Sequence, residues 1–208
     1  PAISCFLLSF ATSIYCSLDT VMLGYMSGSA SNYIVGLYSS ATKITTSVIA
    51  IITAINSIML PRLSYYYETE QYDKIKPILN TCYQFVIMFG LPAVIGCELL
   101  PAEIIYLLSG IDYLPAIPIL RIIAPIILVV GITNVIGIQI FYSSGNVKKT
   151  IISVFCGAAA NLILNAILIP FYSYNGAAIA TLIAESTVLV VQFAIGKNLL
   201  IFNKFNVN

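Results

Sequence analysis

Histidine is absent from the 208-residue sequence, and only 8% of the residues are charged. Because histidine is the commonest general base, proton shuttle and metal ligand, its absence argues against a metal site and against most acid–base active sites. The formal net charge is only +1, which excludes a strong field for attracting nucleic acid. We therefore expect no metal, no cofactor and no nucleic-acid partner.

The cysteines show no sign of a redox or metal motif. All of them lie inside apolar runs without CxxC spacing: Cys5, Cys16, Cys82, Cys97 and Cys156. Free cysteine usually behaves as a small hydrophobic residue in a protein interior. We interpret all five in that way.

Apolar residues are abundant, since 60% of the chain is hydrophobic and the mean hydropathy is +0.99. A typical soluble domain is about 25% charged, so this composition excludes a water-soluble fold. Apolar runs of about 20 residues, the length that crosses a bilayer, recur along the chain. We predict an all-α integral membrane protein whose six transmembrane helices span Ile3–Gly24, Gly36–Leu60, Ile78–Leu100, Pro115–Phe141, Thr150–Ile169 and Gly176–Leu199.

Basic residues are distributed unevenly among the predicted connections. The segments after the second and fourth spans hold Arg62, Lys74, Lys76, Lys148 and Lys149, and the sixth span is closed or followed by Lys197 and Lys204. The other connections hold no basic residue. By the positive-inside rule, both ends of the chain are expected in the cytoplasm. Because the chain begins at Pro1 without a signal-peptide pattern, we also expect a fragment of a longer protein.

Ionisable residues inside the predicted spans are the main functional signal. The stretch "YCSLDTVMLG" places Asp19 about five residues from the outer end of the first span. Lys43 and Arg121 lie about seven and six residues from the outer ends of their spans, and Glu185 lies near a midplane. Such groups normally face a bundle interior, a partner or a water-filled cavity. We predict that these four residues line a hydrophilic cavity.

Polar residues on two helical faces support this cavity. On the second span, one face carries Ser39, Lys43, Thr46, Ala50, Thr53 and Ser57. On the last span, one face carries Thr181, Glu185 and Gln192. The alternative is a structural seam of interhelical hydrogen bonds, in which Asp19 forms an ion pair with Lys43 or Arg121.

Two amides four residues apart, Asn161 and Asn165, lie on the fifth span. Amides can hydrogen-bond across helices or contact a polar substrate, and packing is the more common role. We keep Asn165, together with Thr46, as a candidate cavity residue.

Three shorter features modify the six-helix plan. Pro92 and Pro125 interrupt the third and fourth spans and are candidate kinks. The stretch "PAEIIYLLSG" is too short to span and predicts a short helix at the outer surface. The stretch "YYYETEQYDKIK" is typical of an amphipathic interfacial segment or of a solvated loop with aromatic anchors.

Several blocks of the sequence resemble one known family in their order and spacing. They are "LDTVMLGYMSGSASNYIVGLYSSATKI" (Leu18–Ile44) followed by "IMLPRLS" (Ile58–Ser64), then "GIDYLPAIPILRIIAP" (Gly110–Pro125) and "NLILNAILIPFYSYNGAAIATLIAE" (Asn161–Glu185). These blocks resemble the second half of Wzx-type polysaccharide flippases. That family belongs to the multidrug/oligosaccharidyl-lipid/polysaccharide (MOP) exporter superfamily.

The resemblance implies a two-lobe transporter with a central cavity, in which residues 1–208 form the C-terminal lobe and an N-terminal lobe is the partner. It implies a bacterial inner-membrane transporter, not an enzyme, that moves a lipid-linked oligosaccharide from the cytoplasmic to the outer leaflet by alternating access. Lys43 and Arg121 would contact the pyrophosphate and the sugar of this substrate. Asp19 and Glu185 would tune those cations or carry a coupling ion.

Other functions stay open at this level. A cation-coupled drug or metabolite exporter of the same superfamily would depend mainly on Asp19 and Glu185, and a lipid II-type precursor flippase is a closer variant. A membrane enzyme would need an acid–base site near a large loop, but the longest predicted loop, Arg62 to Pro77, offers only Glu68, Glu70 and Asp73. A purely structural helical scaffold is the remaining alternative.

Overall fold

The computed structural model describes residues 17–26 and 31–205, and it shows a helical membrane-protein fold. Its α-helices are α1 (17–26), α2 (Ser31–Glu68), α3 (Tyr72–Leu99), α4 (Pro101–Ser109), α5 (Ile117–Ile123), α6 (Ile126–Asn134) and α7 (Val147–Phe205). A 3-10 helix (Ile111–Ala116) precedes α5, and a π-helix (Val135–Tyr142) follows α6 directly. The all-α prediction is confirmed for these residues.

Three helices in the described part of the chain are long and apolar enough to cross a membrane: Ser31–Glu68, Tyr72–Leu99 and Val147–Lys197. The segments Ile111–Ile123 and Ile126–Tyr142 make a fourth candidate span if this bent pair counts as one. Most of the first predicted span lies outside the described residues. The count of six spans therefore stays a prediction.

A proline bends the fourth candidate span, as the sequence predicted. Pro125 lies at the break between α5 and α6, and the two segments are bent by 47°. Proline lacks the N–H that a helix interior needs, and its ring collides with the preceding turn. The π-helix that follows was not predicted. Wide turns of this kind are rare and occur frequently at functional sites.

The helix α7 is a hairpin, because its chain reverses at Ser173. This residue has φ 51° and ψ −130°, which no α-helix contains. After the reversal, Gly176 lies against the Leu168 carbonyl and Gly157 lies against Val188. We call the two antiparallel parts the first half (147–172) and the second half (174–205) of α7. They contain the fifth and sixth predicted spans.

The connection between α2 and α3 is shorter than the sequence indicated. The helix α2 continues through Pro61 to Glu68, and α3 begins at Tyr72, so the predicted interfacial segment is mostly helical. The ammonium of Lys74 lies 5.4 Å from the ring centroid of Tyr66, which ties the two helix ends together. A local cation–π contact of this kind cannot be read from composition.

The predicted short helix after the third span is confirmed as α4. It begins at Pro101, a residue that favours the first helical turn, and it ends at Ser109. The hydroxyl oxygens of Ser109 and Ser40 lie 2.6 Å apart, so the end of α4 is hydrogen-bonded to α2.

The interpretation of the cysteines is confirmed in part. Cys82 and Cys97 are free and buried, as expected. The prediction is wrong for Cys156, which is exposed because it lies on the outward face of α7 next to Phe155. Cys5 and Cys16 fall outside the described residues.

The closeness of the two halves of α7 generates a prediction. A Cβ at residue 157 would collide with Val188 Cγ2 and lie 3.3 Å from the Ala184 carbonyl. We expect Gly157→Ala to lower the free energy of unfolding by about 1–3 kcal/mol, the usual cost of overpacking. The melting temperature of the purified protein in detergent measures this effect.

The matched control is Gly96→Ala on α3, where nothing lies within 4 Å of the added Cβ. This substitution should leave the melting temperature unchanged or raise it, because alanine favours helix over glycine. Equal effects of the two substitutions would contradict the hairpin packing.

Candidate functional site

A cavity of about 510 Å³ lies among α1, α2, α6, the π-helix and both halves of α7. More than half of its lining residues are polar: Asp19, Thr20, Tyr38, Thr42, Thr45, Thr46, Thr133, Asn134, Thr150, Thr181, Glu185 and Gln192. The other lining residues are mainly isoleucine and valine. Most of the accessible wall is nevertheless apolar, in part because the hydroxyls of Thr42, Thr45 and Thr46 bond carbonyl groups of their own helix.

The carboxylate of Asp19 lies at the wall of this cavity and is only 5% exposed. Its Oδ1 accepts hydrogen bonds from the Nδ2 atoms of Asn161, at 2.9 Å, and Asn165, at 2.5 Å. Its Oδ2 accepts from the hydroxyls of Tyr38 and Thr181, each at 2.8 Å. Four donors among the described residues therefore surround one carboxylate.

The donors come from separate parts of the fold. Tyr38 lies on α2, Asn161 and Asn165 lie on the first half of α7, and Thr181 lies on the second half. The Asn165 Nδ2 also donates to Asn161 Oδ1 at 3.0 Å, which orders the two amides with respect to each other. Asp19 thus joins α1 to three helical segments through side-chain hydrogen bonds.

All four donors to Asp19 are neutral, so its charge is stabilised by hydrogen bonds rather than by an ion pair. No lysine or arginine in the described ranges forms an ion pair with Asp19. An ionised carboxylate can accept about four hydrogen bonds, so the site matches its acceptor capacity. Charge-assisted hydrogen bonds of this kind offset part of the desolvation cost of a buried charge.

The hydroxyls of Tyr38 and Thr181, which bond Asp19 Oδ2, also have other acceptors within hydrogen-bond distance. Thr181 Oγ1 lies 2.8 Å from the Ala177 carbonyl of its own helix and 2.9 Å from the Tyr38 hydroxyl. A protonated Asp19 could therefore donate to Thr181, which would turn its own proton to Ala177. The hydrogen-bond network can satisfy the carboxyl group with or without a proton.

The predicted site residues fall into two groups. Asp19, Thr46 and Glu185 line the cavity, and Asn165 bonds Asp19 directly. Lys43 and Arg121 do not line it.

Lys43 and Arg121 are instead exposed on the outside of the helices. Neither residue pairs with Asp19, so the alternative of a structural ion pair between Asp19 and one of these cations is not what the described residues show. Much of the predicted polar face of α2 shares this position, because Ala50 and Ser57 are exposed as well, whereas Thr46 lies at the edge of the cavity.

Sequence reasoning missed Tyr38 as a site residue. Four of the cavity-facing residues of α2 follow helical spacing one position before the predicted face: Tyr38, Thr42, Thr45 and Ile49. The fifth, Thr46, belongs to the predicted face itself. The threonines at residues 42, 45 and 46 could have indicated the cavity-facing side, but the charge of Lys43 favoured the neighbouring face in the prediction. Asn161, favoured as a packing residue, proves to be a donor to Asp19.

No group of three or more cysteine, aspartate and glutamate residues that could hold a metal ion occurs in the part of the chain described. The carboxylates of the cavity wall, Asp19 and Glu185, lie on different helices. The site is therefore built from one buried carboxylate with neutral hydrogen-bond donors rather than from a cluster of acids.

An all-helical fold with apolar spans and a buried charge at a cavity is typical of membrane transport proteins. The family model described as "Polysaccharide biosynthesis protein" matches residues 2–118, more than half of the chain. The chain belongs to this family, and its resemblance to Wzx-type flippases of the MOP superfamily is confirmed.

Two curated relatives show similarity beyond the family match. The chain is 25% identical to the "Probable flippase AglR" of Haloferax volcanii over 82% of its own length and 35% of that protein. It is 27% identical to the "Putative O-antigen transporter" of Escherichia coli K12 over 94% of its own length and 47% of that protein. The chain thus spans less than half the length of these relatives. No solved structure matches it significantly.

The hydrogen bonds of Asp19 generate a second prediction. We expect Asn165→Leu to lower the free energy of unfolding by about 1.5–3 kcal/mol, because it removes a donor to a buried charge. In an Asp19→Asn background the same substitution should cost clearly less, since the group at residue 19 is then neutral. Melting temperatures of the four proteins in this cycle give the coupling.

The control is Ser186→Ala, which removes a hydroxyl that bonds the Leu182 carbonyl of its own helix. Its effect should simply add to that of Asp19→Asn. Additive effects for Asn165→Leu as well would mean that the amide does not stabilise a charged Asp19.

Proposed function

We propose that this chain is the C-terminal lobe of a flippase that moves a lipid-linked oligosaccharide, joined to its lipid through pyrophosphate, from the inner to the outer leaflet. The observation that carries the proposal is family membership together with a buried carboxylate at a polar cavity. The relatives named as a flippase and as an O-antigen transporter support the substrate class.

The helix arrangement supports a six-span lobe. The hairpin at Ser173 divides α7 into two spans, and the bent pair Ile111–Ile123 and Ile126–Tyr142 provides one more. Together with α2, α3 and the predicted first span, these segments support a count of six, and an even number of spans would place both ends on one side. Coverage of less than half of each relative is consistent with one lobe of two.

The exposed cations support a second lobe. The outward face of α2 carries Lys43, Ser47, Ala50 and Ser57, all exposed. The outward face of α3 differs, because its exposed residues include Ile87, Met88, Phe89, Leu91 and Ile95. A lysine facing lipid tails would be costly, whereas the α3 face suits them.

The α2 face is therefore the one expected to turn towards a partner lobe and the substrate. Lys43 and Arg121 would offset the desolvation of a lipid pyrophosphate in the space between the lobes, because cations form strong charge-assisted contacts with phosphate oxygens. This role is binding and positioning. No acid–base site is needed, and the short α2–α3 connection leaves no large loop in which to build one.

Asp19 is the candidate for energy coupling. Its hydrogen-bond network can satisfy the carboxyl group in either protonation state, and Asn165 Oδ1 is buried without a partner beside it. Carboxylate and amide oxygens are also the ligands that small hard cations prefer. A proton or a monovalent cation at Asp19 would change the attraction between α1 and the other helices, which links ion binding to helix movement.

The test of substrate binding is complementation of a flippase-deficient bacterium with the full-length transporter that carries this lobe. We expect Lys43→Ala and Arg121→Ala each to reduce surface polysaccharide about tenfold or more, the effect of one lost charge-assisted contact. Polysaccharide is quantified at matched protein levels in the membrane. The control is Lys148→Ala, which removes an exposed lysine at the start of α7 and should retain export.

Export that survives both cation substitutions would contradict the assignment of Lys43 and Arg121 to the substrate. Equal loss in all three variants would show a general effect of surface charge rather than a binding role.

One observation favours a second candidate, a cation-coupled exporter of small molecules: the carboxylates Asp19 and Glu185 line the cavity, whereas Lys43 and Arg121 do not. For such an exporter, Glu185→Gln should abolish transport while neutralisation of Lys43 and Arg121 leaves it intact. Drug resistance of cells that express each variant distinguishes this exporter from the flippase.

A further inference from the structure

The cavity has a second polar end, away from Asp19, that the proposed function does not yet use. Gln192 lies there and is only 2% exposed. Its Nε2 donates to Ser153 Oγ at 3.4 Å, and its Oε1 is buried without a hydrogen-bond partner. A buried amide oxygen without a partner is costly, so it normally faces a ligand, a water molecule or an ion.

The π-helix supplies further oxygen atoms at this end. Thr150 Oγ1 donates to the Gly137 carbonyl at 2.8 Å, and both residues line the cavity with Gln192. A Cβ at residue 137 would lie 2.9 Å from Gln192 Nε2 and 3.3 Å from Thr150 Cγ2. Glycine at this position therefore allows Gln192 to approach the π-helix backbone.

The charge of the cavity selects the ligand. The charged residues among its lining are Asp19 and Glu185, both acidic, and Tyr38 is the other titratable one. The groups around Gln192 with free acceptor capacity are oxygens of an amide, a carbonyl and two hydroxyls. A cavity of this kind disfavours phosphate or carboxylate and favours a monovalent cation or a hydronium ion.

One face of α7 connects the two ends. Thr181, Glu185, Val188 and Gln192 are separated by four, three and four residues, and all of them line the cavity. At 1.5 Å per residue this wall is ~16 Å long. Thr181 bonds Asp19 at one end, and Gln192 lies five residues before Lys197 at the other.

We propose that Gln192, Thr150 and the Gly137 carbonyl form a relay site for a sodium ion or a proton, through which the cation bound at Asp19 leaves the lobe at its lysine-bearing end. This proposal rests on the proposed coupling role of Asp19. Glu185 lies between the two sites and lowers the energy of the cation on its path. The bent, π-helical fourth span forms the opposite wall of this path.

The test uses the full-length transporter, purified and reconstituted into liposomes. Radioactive sodium uptake and an internal pH-sensitive dye measure sodium and proton flux separately, each under an imposed gradient. Gln192→Leu should reduce the flux of the coupling cation about tenfold, the effect on a rate of one lost coordinating oxygen. It should leave the thermal stabilisation of the detergent-solubilised protein by that cation as in the wild type, because binding occurs at Asp19.

Two further variants make the test decisive. Thr150→Val removes a hydroxyl from the same end of the cavity and should slow flux in the same way, even where Gln192→Leu fails to fold. Thr187→Val is the matched control, because its hydroxyl bonds the Ile183 carbonyl on the outward side of α7. It should leave both flux and stabilisation unchanged.

Wild-type flux in both Gln192→Leu and Thr150→Val would overturn the relay site. Loss of cation-induced stabilisation in these variants would also overturn it, since the residues would then belong to the Asp19 site itself. Absence of both sodium flux and proton flux in the wild type would also overturn the relay site. Intact cation flux with failed polysaccharide complementation would instead count against the flippase proposal alone.

Discussion

The helices of this chain meet around one buried carboxylate that must be hydrogen-bonded in place of its lost water. Asp19 lies among apolar helices, where an ionised group loses its water. Neutral donors from α2 and from both halves of α7 replace that water. Moving any one of these helices away would remove hydrogen bonds from the Asp19 carboxylate. The carboxylate therefore favours the arrangement in which these helices meet at this point.

The four ionisable residues that were predicted to line the cavity separate by sign. Acidic residues, Asp19 and Glu185, face the internal cavity, while Lys43 and Arg121 lie on the outside. Under the proposed function, the cavity beside Asp19 binds a small cation, and the exposed face with Lys43 binds an anionic lipid. The helix α2 serves both purposes with adjacent faces, because Tyr38 points inward and Lys43 lies outward. A movement of α2 would therefore change the contacts of both ligands.

Much of this arrangement can be predicted from the sequence, and the failures have physical reasons. Hydropathy predicts helices, and Pro125 predicts a bend, because both depend on local chain chemistry. The depth of Asp19 in its predicted span implies that its carboxylate needs hydrogen-bond donors. It does not identify those donors. Asn161 lies 142 residues away in the chain, and only the packing of α7 brings it to the carboxylate. Helical spacing alone could not say which of two neighbouring α2 faces turns inward.

The tight turn at Ser173 also limits how the helices can move relative to one another. Glycines at residues 157 and 176 press the two halves of α7 against each other with no space between the backbones and their neighbours. The hairpin is therefore expected to behave as one rigid body, which carries Asn161, Asn165 and Thr181 together. In its described residues, α1 is held to this frame through the hydrogen bonds of Asp19 rather than through glycine contacts of that kind. A change of charge at Asp19 would then alter the bonds that hold α1 against the hairpin.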